Sequence, residues 1–135
     1  MESIKKRAVF ANLEEVLDFV EVKITECGLS LAKVPDIVLT VEELLVNIIS
    51  YAFPNEENGD MKVMCGRKHG YVIVKILDKG VPFDATAAKE PDISTHIHER
   101  KIGGMGIFLA KNIVDEMSYK RTFRKNILTI KKKIE

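Results

Sequence analysis

At 135 residues the chain has the size of one domain, and 46% hydrophobic against 30% charged residues is the make-up of an ordinary globular protein. Its 21 Lys and Arg nearly balance 20 Asp and Glu, so no global charge argues for nucleic acid or an acidic membrane as partner. Cys27 and Cys65 form no C-x-x-C pair, and no apolar run suits a signal peptide or a membrane span; one cytoplasmic domain over residues 1–135 with free thiols is the expectation.

Ile4 to Phe10 suits a first strand. Asn12 is placed to cap a helix whose first turn carries Glu14 and Glu15, where the helix dipole favours acids. Val16, Leu17, Val20 and Ile24 then recur at helical spacing, and Gly28 closes the element. A second helix starts near Val34-Pro35-Asp36, with Pro in its first turn, and runs to about Ala52, because Pro54 forbids much continuation. After a polar turn over Asn55 to Gly59, Met61–Gly66 and Tyr71–Leu77 read as two strands. The second is nearly all apolar and β-branched, which predicts a central strand buried on both faces.

Residues 78–102 show little periodicity, and a segment of that length without regular structure reads as a functional lid, placed at about 85–102. Gly106 to Met117 is amphipathic through Ile107, Leu109, Ala110, Ile113 and Val114. Tyr119–Phe123 and Ile127–Ile134 close the chain as a hairpin around Arg124-Lys125-Asn126. Its basic run, Lys120, Arg121, Arg124, Lys125 and Lys131 to Lys133, reads as a solvated strand edge. This order predicts an α+β two-layer sandwich, a mixed β-sheet with about three helices on one face.

Three constellations carry chemistry. On a helical wheel Ile37, Val41, Leu44, Leu45, Ile48 and Ala52 share one arc, and Glu43 and Asn47 stand together just beyond its edge. The Asn47 carbonyl can ligate Mg²⁺, a hard cation that keeps several waters and needs few protein ligands, and Glu43 can take a proton. Asp78 sits where a buried strand emerges and can accept a hydrogen bond from an exocyclic amine such as that of adenine. Gly80 leaves room for a ring to approach the backbone, and Pro82-Phe83 adds an apolar wall. Gly103, Gly104, Met105 and Gly106 lie where a helix begins, so bare N–H groups and the helix dipole meet an anion there. No Lys-Ser/Thr follows, which excludes a Walker loop, and Leu109 stands where a dinucleotide fingerprint needs its third glycine. Taken singly, the three are also ordinary features: a boundary pair, a turn and a hinge.

In order and at this spacing, Glu43-x3-Asn47, Asp78-x-Gly80-x-Pro-Phe-Asp84 and Gly104-x-Gly106 resemble the N, G1 and G2 boxes of the gyrase–chaperone–histidine kinase–MutL (GHKL) ATPase superfamily. The subgroup most similar is the single-domain anti-sigma-factor serine/threonine kinases of bacteria. Glu99-Arg-Lys-Ile-Gly-Gly-Met-Gly-Ile-Phe-Leu109, Val114-Asp-Glu-Met-Ser-Tyr119 and Asn126-Ile-Leu-Thr-Ile130 look like it, and the resemblance spans about residues 5–134. It implies the Bergerat ATP-binding fold, with ATP and Mg²⁺ bound. Asn47 would hold the metal and Glu43 would be the catalytic base. Asp78 would bind the adenine amine, with Gly80 and Phe83 at the ring and Thr129 supporting the same network. Gly103, Gly104, Met105 and Gly106 would meet the phosphates, and Arg100 or Lys101 would reach the terminal one. The implied partners are an antagonist protein as phosphoacceptor and a sigma factor as client; homodimerisation is implied by likeness alone. Relatives often carry a basic residue or His four places after the metal Asn, and Tyr51 departs from that pattern.

Overall fold

Inward-facing aliphatic residues at every second position build a five-stranded sheet, and helices with one apolar stripe cover it. The computed structural model describes residues 1–87 and 105–135. Within them the order is β1 (Glu2–Arg7), α1 (Leu13–Glu26), α2 (Val34–Tyr51), β2 (Asp60–Lys68), β3 (Tyr71–Asp78), α3 (Met105–Ile113), β4 (Glu116–Thr122) and β5 (Lys125–Lys133). Short 3₁₀ turns occupy Phe10–Asn12 and Ala85–Ala87.

The sheet order is β1-β2-β3-β5-β4, and every neighbouring pair is antiparallel. The mixed sheet expected from the sequence is therefore a wholly antiparallel one. Two of the ladders are forced by tight turns. His69-Gly70 joins β2 to β3 and Phe123-Arg124 joins β4 to β5, and all four residues have positive φ, between 49° and 81°. Two-residue turns of that hand match the twist of paired antiparallel strands. The β1–β2 register pairs Arg7 with Asp60, so the two intervening helices return the chain beside the strand it left.

The second difference concerns β3. It lies in the middle of the sheet with Val72, Val74, Ile76 and Asp78 buried on the covered face; on the other face Ile73 is buried, but Tyr71, Lys75 and Leu77 are only half-buried. Helices cover one face and the other is open, so the central strand is buried on both faces only at Ile73 and alternates beyond it. The core gathers Val16, Val20 and Ile24 of α1, Ile37, Val41 and Leu45 of α2, and the inward residues of β2, β3 and β5. Each such side chain contributes about 1.5–3 kcal/mol on leaving water.

Helix limits follow local chemistry. Gly28, at φ 97°, turns the chain out of α1 at no steric cost. Asn12 precedes α1 but does not cap it; its Nδ2 donates to the Arg7 carbonyl at 3.0 Å, tying the helix start to the end of β1. In α3, Ile107 and Ala110 are buried, whereas Leu109, grouped above with the apolar stripe, is 52% exposed. Among the described residues no helix is long and apolar enough to cross a membrane.

Candidate functional site

The strand end, the last turns of α2 and the closing hairpin meet around one cleft. Asp78 of β3, Asn47 of α2 and Phe83 all line it. The residues that the sequence places far apart, an acid closing an apolar strand and an amide in a helix, thus face one hollow.

Asp78 is only 7% exposed. Its Oδ1 accepts a 2.9 Å bond from the Gly80 N–H and a 3.0 Å bond from Asn126 Nδ2. Among the described residues every fully buried side-chain polar atom has a partner. Oδ2 has no described donor, so it is the oxygen left for a group entering the cleft. Burial pushes the Asp78 carboxyl above the usual carboxylate range, opposed by the bonds from Asn126 and Gly80 and by the charge of Arg121. A carboxylate so held is a directional acceptor for an N–H donor in a mainly apolar cleft.

Gly80 is needed for a reason the sequence does not show. A Cβ built there would run into the Cβ and carbonyl oxygen of Ala52, the residue capping α2. The missing side chain admits the end of that helix, where the sequence suggests a ring approaching the backbone. Val81 N–H then donates to the Ala52 carbonyl at 2.8 Å, which fastens the turn to the helix.

Glu43 and Asn47 are half-buried on α2, one turn apart. Asn47 faces the cleft, whereas Glu43 packs against Gly106 in the first turn of α3. A Cβ on Gly106 would occupy the place of the Glu43 carboxylate, so glycine there lets an acid approach the start of a helix. Arg100, Gly103 and Gly104 lie outside the described residues, as does most of the lid expected over 85–102. Met105 opens α3.

Thr129 is a correction. Along β5, Asn126, Leu128 and Ile130 are buried and Ile127 and Thr129 only partly so, so alternation turns Thr129 to the open face, away from the cleft. The strand residue that meets Asp78 is Asn126, paired with it in register and 5% exposed. Asn126 shares the inward register of Leu128 and Ile130, and a polar residue in that register was the signal available for finding it. Arg121, which the sequence groups with a solvated edge, also belongs here; its Nη1 donates to the Gly80 carbonyl at 2.9 Å and to Asn126 Oδ1 at 3.0 Å. Tyr51, the departure noted in the sequence, and Tyr119 add aromatic surface to the cleft.

A helix-covered antiparallel sheet with an acid at the end of its middle strand and an amide on the facing helix defines a class, and sequence comparison agrees. The chain belongs to the histidine kinase-like ATPase domain family, whose profile matches residues 7–132. It is similar to the serine-protein kinase RsbW of Listeria monocytogenes, 27% identical over 97 residues, covering 69% of this chain and 62% of that protein. It is also similar to the serine/threonine-protein kinase BtrW of Bordetella bronchiseptica, 28% identical over 92 residues, 68% of this chain and 65% of that one. The match therefore spans less than two thirds of the length of these relatives. Among solved structures, the RsbU and RsbW domains of Rv1364c from Mycobacterium tuberculosis superpose over 98% of this chain and 32% of that one, with a TM-score of 0.62 at 14% identity. The Acinetobacter baumannii histidine kinase AdeS matches over all of this chain and 70% of that one, with a TM-score of 0.53 at 19% identity. These two likenesses speak for the fold.

Proposed function

We propose that this chain is a serine/threonine protein kinase of the anti-sigma type, which binds Mg-ATP and phosphorylates a small antagonist protein. The observation that carries the reading is Asp78, buried at the end of β3 with one carboxylate oxygen occupied and the other available, across a cleft from Asn47. The free oxygen suits the exocyclic amine of adenine. The purine lies against Phe83 and the cleft's aliphatic wall, and the phosphates extend along α2 toward the start of α3. Gly106 supplies a donor there, and the resemblance adds Gly103, Gly104 and either Arg100 or Lys101 as phosphate-binding residues.

Mg²⁺ fits the donor set: a single neutral amide, Asn47, with the remaining positions left to phosphate oxygens and water, as this ion prefers. When bound, the ion neutralises charge on the phosphates. In the transfer, the acceptor hydroxyl oxygen bonds to the γ-phosphorus, the bond from that phosphorus to the β–γ bridging oxygen breaks, and ADP leaves. Glu43 takes the hydroxyl proton. Such a reaction asks the protein mainly to position and neutralise, which suits a site with one base and many backbone donors. The named activities of the relatives, serine- and serine/threonine-protein kinases, support the acceptor class. A sigma factor or similar client is the partner that nucleotide-loaded protein would sequester in the cytoplasm, with a homodimer as its assembly.

The second reading is a nucleotide-gated binding module that transfers nothing; Glu43 beside the α3 start favours the enzyme. Incubation with γ-labelled ATP and candidate antagonists separates the two. Label on an antagonist serine or threonine, lost in Glu43→Ala with ATP affinity kept, supports the kinase. ATP binding without transfer to any antagonist supports the module.

A further inference from the structure

The geometry points to Tyr119, Arg121 and Asn126 as a positioning unit that orients Asp78 and so sets the choice between amino- and oxo-purines; this rests on the ATP-binding reading above. Asn126 is the hub. Its Nδ2 donates to Asp78 Oδ1 at 3.0 Å, to the Val81 carbonyl at 2.9 Å and, more weakly, to the Gly80 carbonyl at 3.4 Å. Its Oδ1 accepts from the Tyr119 hydroxyl at 2.6 Å and from Arg121 Nη1 at 3.0 Å.

Chemistry alone settles which way this amide points. A guanidinium can only donate and the two backbone carbonyls can only accept, so the oxygen must face Arg121 and the NH₂ must face Asp78. Were the amide reversed, its oxygen would confront a carboxylate and two carbonyls. Tyr119 and Arg121 therefore act through Asn126, while Arg121 also holds the Gly80 carbonyl at 2.9 Å and so fixes the turn beside the base. Tyr119 and Asn126 also line the cleft, whereas Arg121 does not and acts only through its neighbours.

The consequence is selectivity. An ionised Asp78 accepts from an amine and repels a keto oxygen; a protonated one donates to the keto oxygen. Whatever releases the Asn126 NH₂ from Asp78 favours the protonated form, which burial already promotes. The other titratable groups around this end of the sheet are Tyr51 of α2 and Tyr119 of β4 in the cleft, and Lys79 in the turn. On the open face stand Lys5 of β1, Asp60 and Lys62 of β2, and Lys125 of β5. Asp78 is the one carboxylate lining the cleft among the described residues.

The test is ATP and GTP affinity across pH for wild type, Arg121→Met, Arg121→Lys and Tyr119→Phe, with the Asp78 titration followed by carboxyl-carbon NMR. Arg121→Met should weaken ATP roughly ten-fold, the size of one charge-assisted hydrogen bond, and narrow the ATP-to-GTP preference. Its Asp78 midpoint should move upward, so that ATP affinity is lost at a higher pH as acid is added. Arg121→Lys should recover part of both effects, and Tyr119→Phe should move both in the same direction by less. Wild-type ratio, pH profile and Asp78 titration in Arg121→Met would overturn the assignment even if its Tm fell. Should Arg121→Met not fold, the same measurements on Tyr119→Phe decide the question. If wild type itself binds no ATP, the parent reading fails and the Asp78 titration alone judges the positioning role.

Discussion

Replacing Asp78 by Asn separates recognition from stability within a single side chain. The two bonds at Oδ1, from Gly80 and Asn126, survive, because an amide oxygen accepts them in the same place. What changes is the other position, where an acceptor becomes an NH₂ donor facing the amine of the base proposed to bind there. Loss of one hydrogen bond to a charged group costs about 1.5–3 kcal/mol, a Kd increase of roughly 10- to 150-fold. Stability moves the other way. Burial raises the folded-state carboxyl pKa above its unfolded value, so this group's contribution is largest in acid. It falls as pH rises through the interval between the two values and is level above it. Asp78→Asn removes that fall and should be at least as stable as wild type at neutral pH. Calorimetric titration with Mg-ATP, beside urea unfolding at two pH values, reads both quantities. An unchanged ATP affinity in a folded variant would refute the argument, because it would take Oδ2 out of the site.

Four further outcomes are expected. Gly80→Ala should lose about 1–3 kcal/mol of unfolding free energy, since its Cβ must displace the end of α2; a wild-type urea midpoint would show that contact to be slack. Gly106→Ala should push the Glu43 carboxylate aside and lower phosphoryl transfer more than ATP affinity, read by comparing single-turnover rates with Kd. The pair Phe123→Asn and Arg124→Gly should raise stability by about 1 kcal/mol, because both residues hold positive φ in a turn whose Phe123 is almost wholly exposed. Thermal unfolding checks it, and a lower Tm would mean that Phe123 makes a contact worth more than the strain. Burial pushes the Cys65 thiol up to about 12, so at mildly alkaline pH it should react with a thiol reagent only on unfolding; labelling at the rate of a free thiol would contradict this.

Where the physics is local, the sequence was readable. The apolar arc of Ile37, Val41, Leu44, Leu45 and Ile48 follows from a 3.6-residue period, and these residues are buried on α2 as that period demands. The order of the elements and the two-layer architecture follow from the same patterns. The sheet's wholly antiparallel pairing did not, because strand neighbours depend on how the α1–α2 pair returns the chain. Apolar composition was half right on β3: Ile73 on the open face is buried as expected, at 7% exposed, whereas Tyr71, Lys75 and Leu77 are only half-buried. The site was half legible. Asp78 and Asn47 carry their chemistry in their type and position, whereas Asn126 and Arg121 acquire theirs only when β4 and β5 are laid in register beside β3. The resemblance implies Thr129, but the strand places it an odd number of residues from Asn126 and so on the opposite face of β5.

The bond from the Val81 N–H to the Ala52 carbonyl makes the strand-end turn and the amide-bearing helix one lever. A ring that presses the turn outward must drag the helix end with it, and Asn47 rides on the same rod. In the nucleotide pose proposed above, gripping the aromatic head and gripping the charged tail would therefore be coupled through this bond. A mimic offering only one half gives up the placement that the other half would have set.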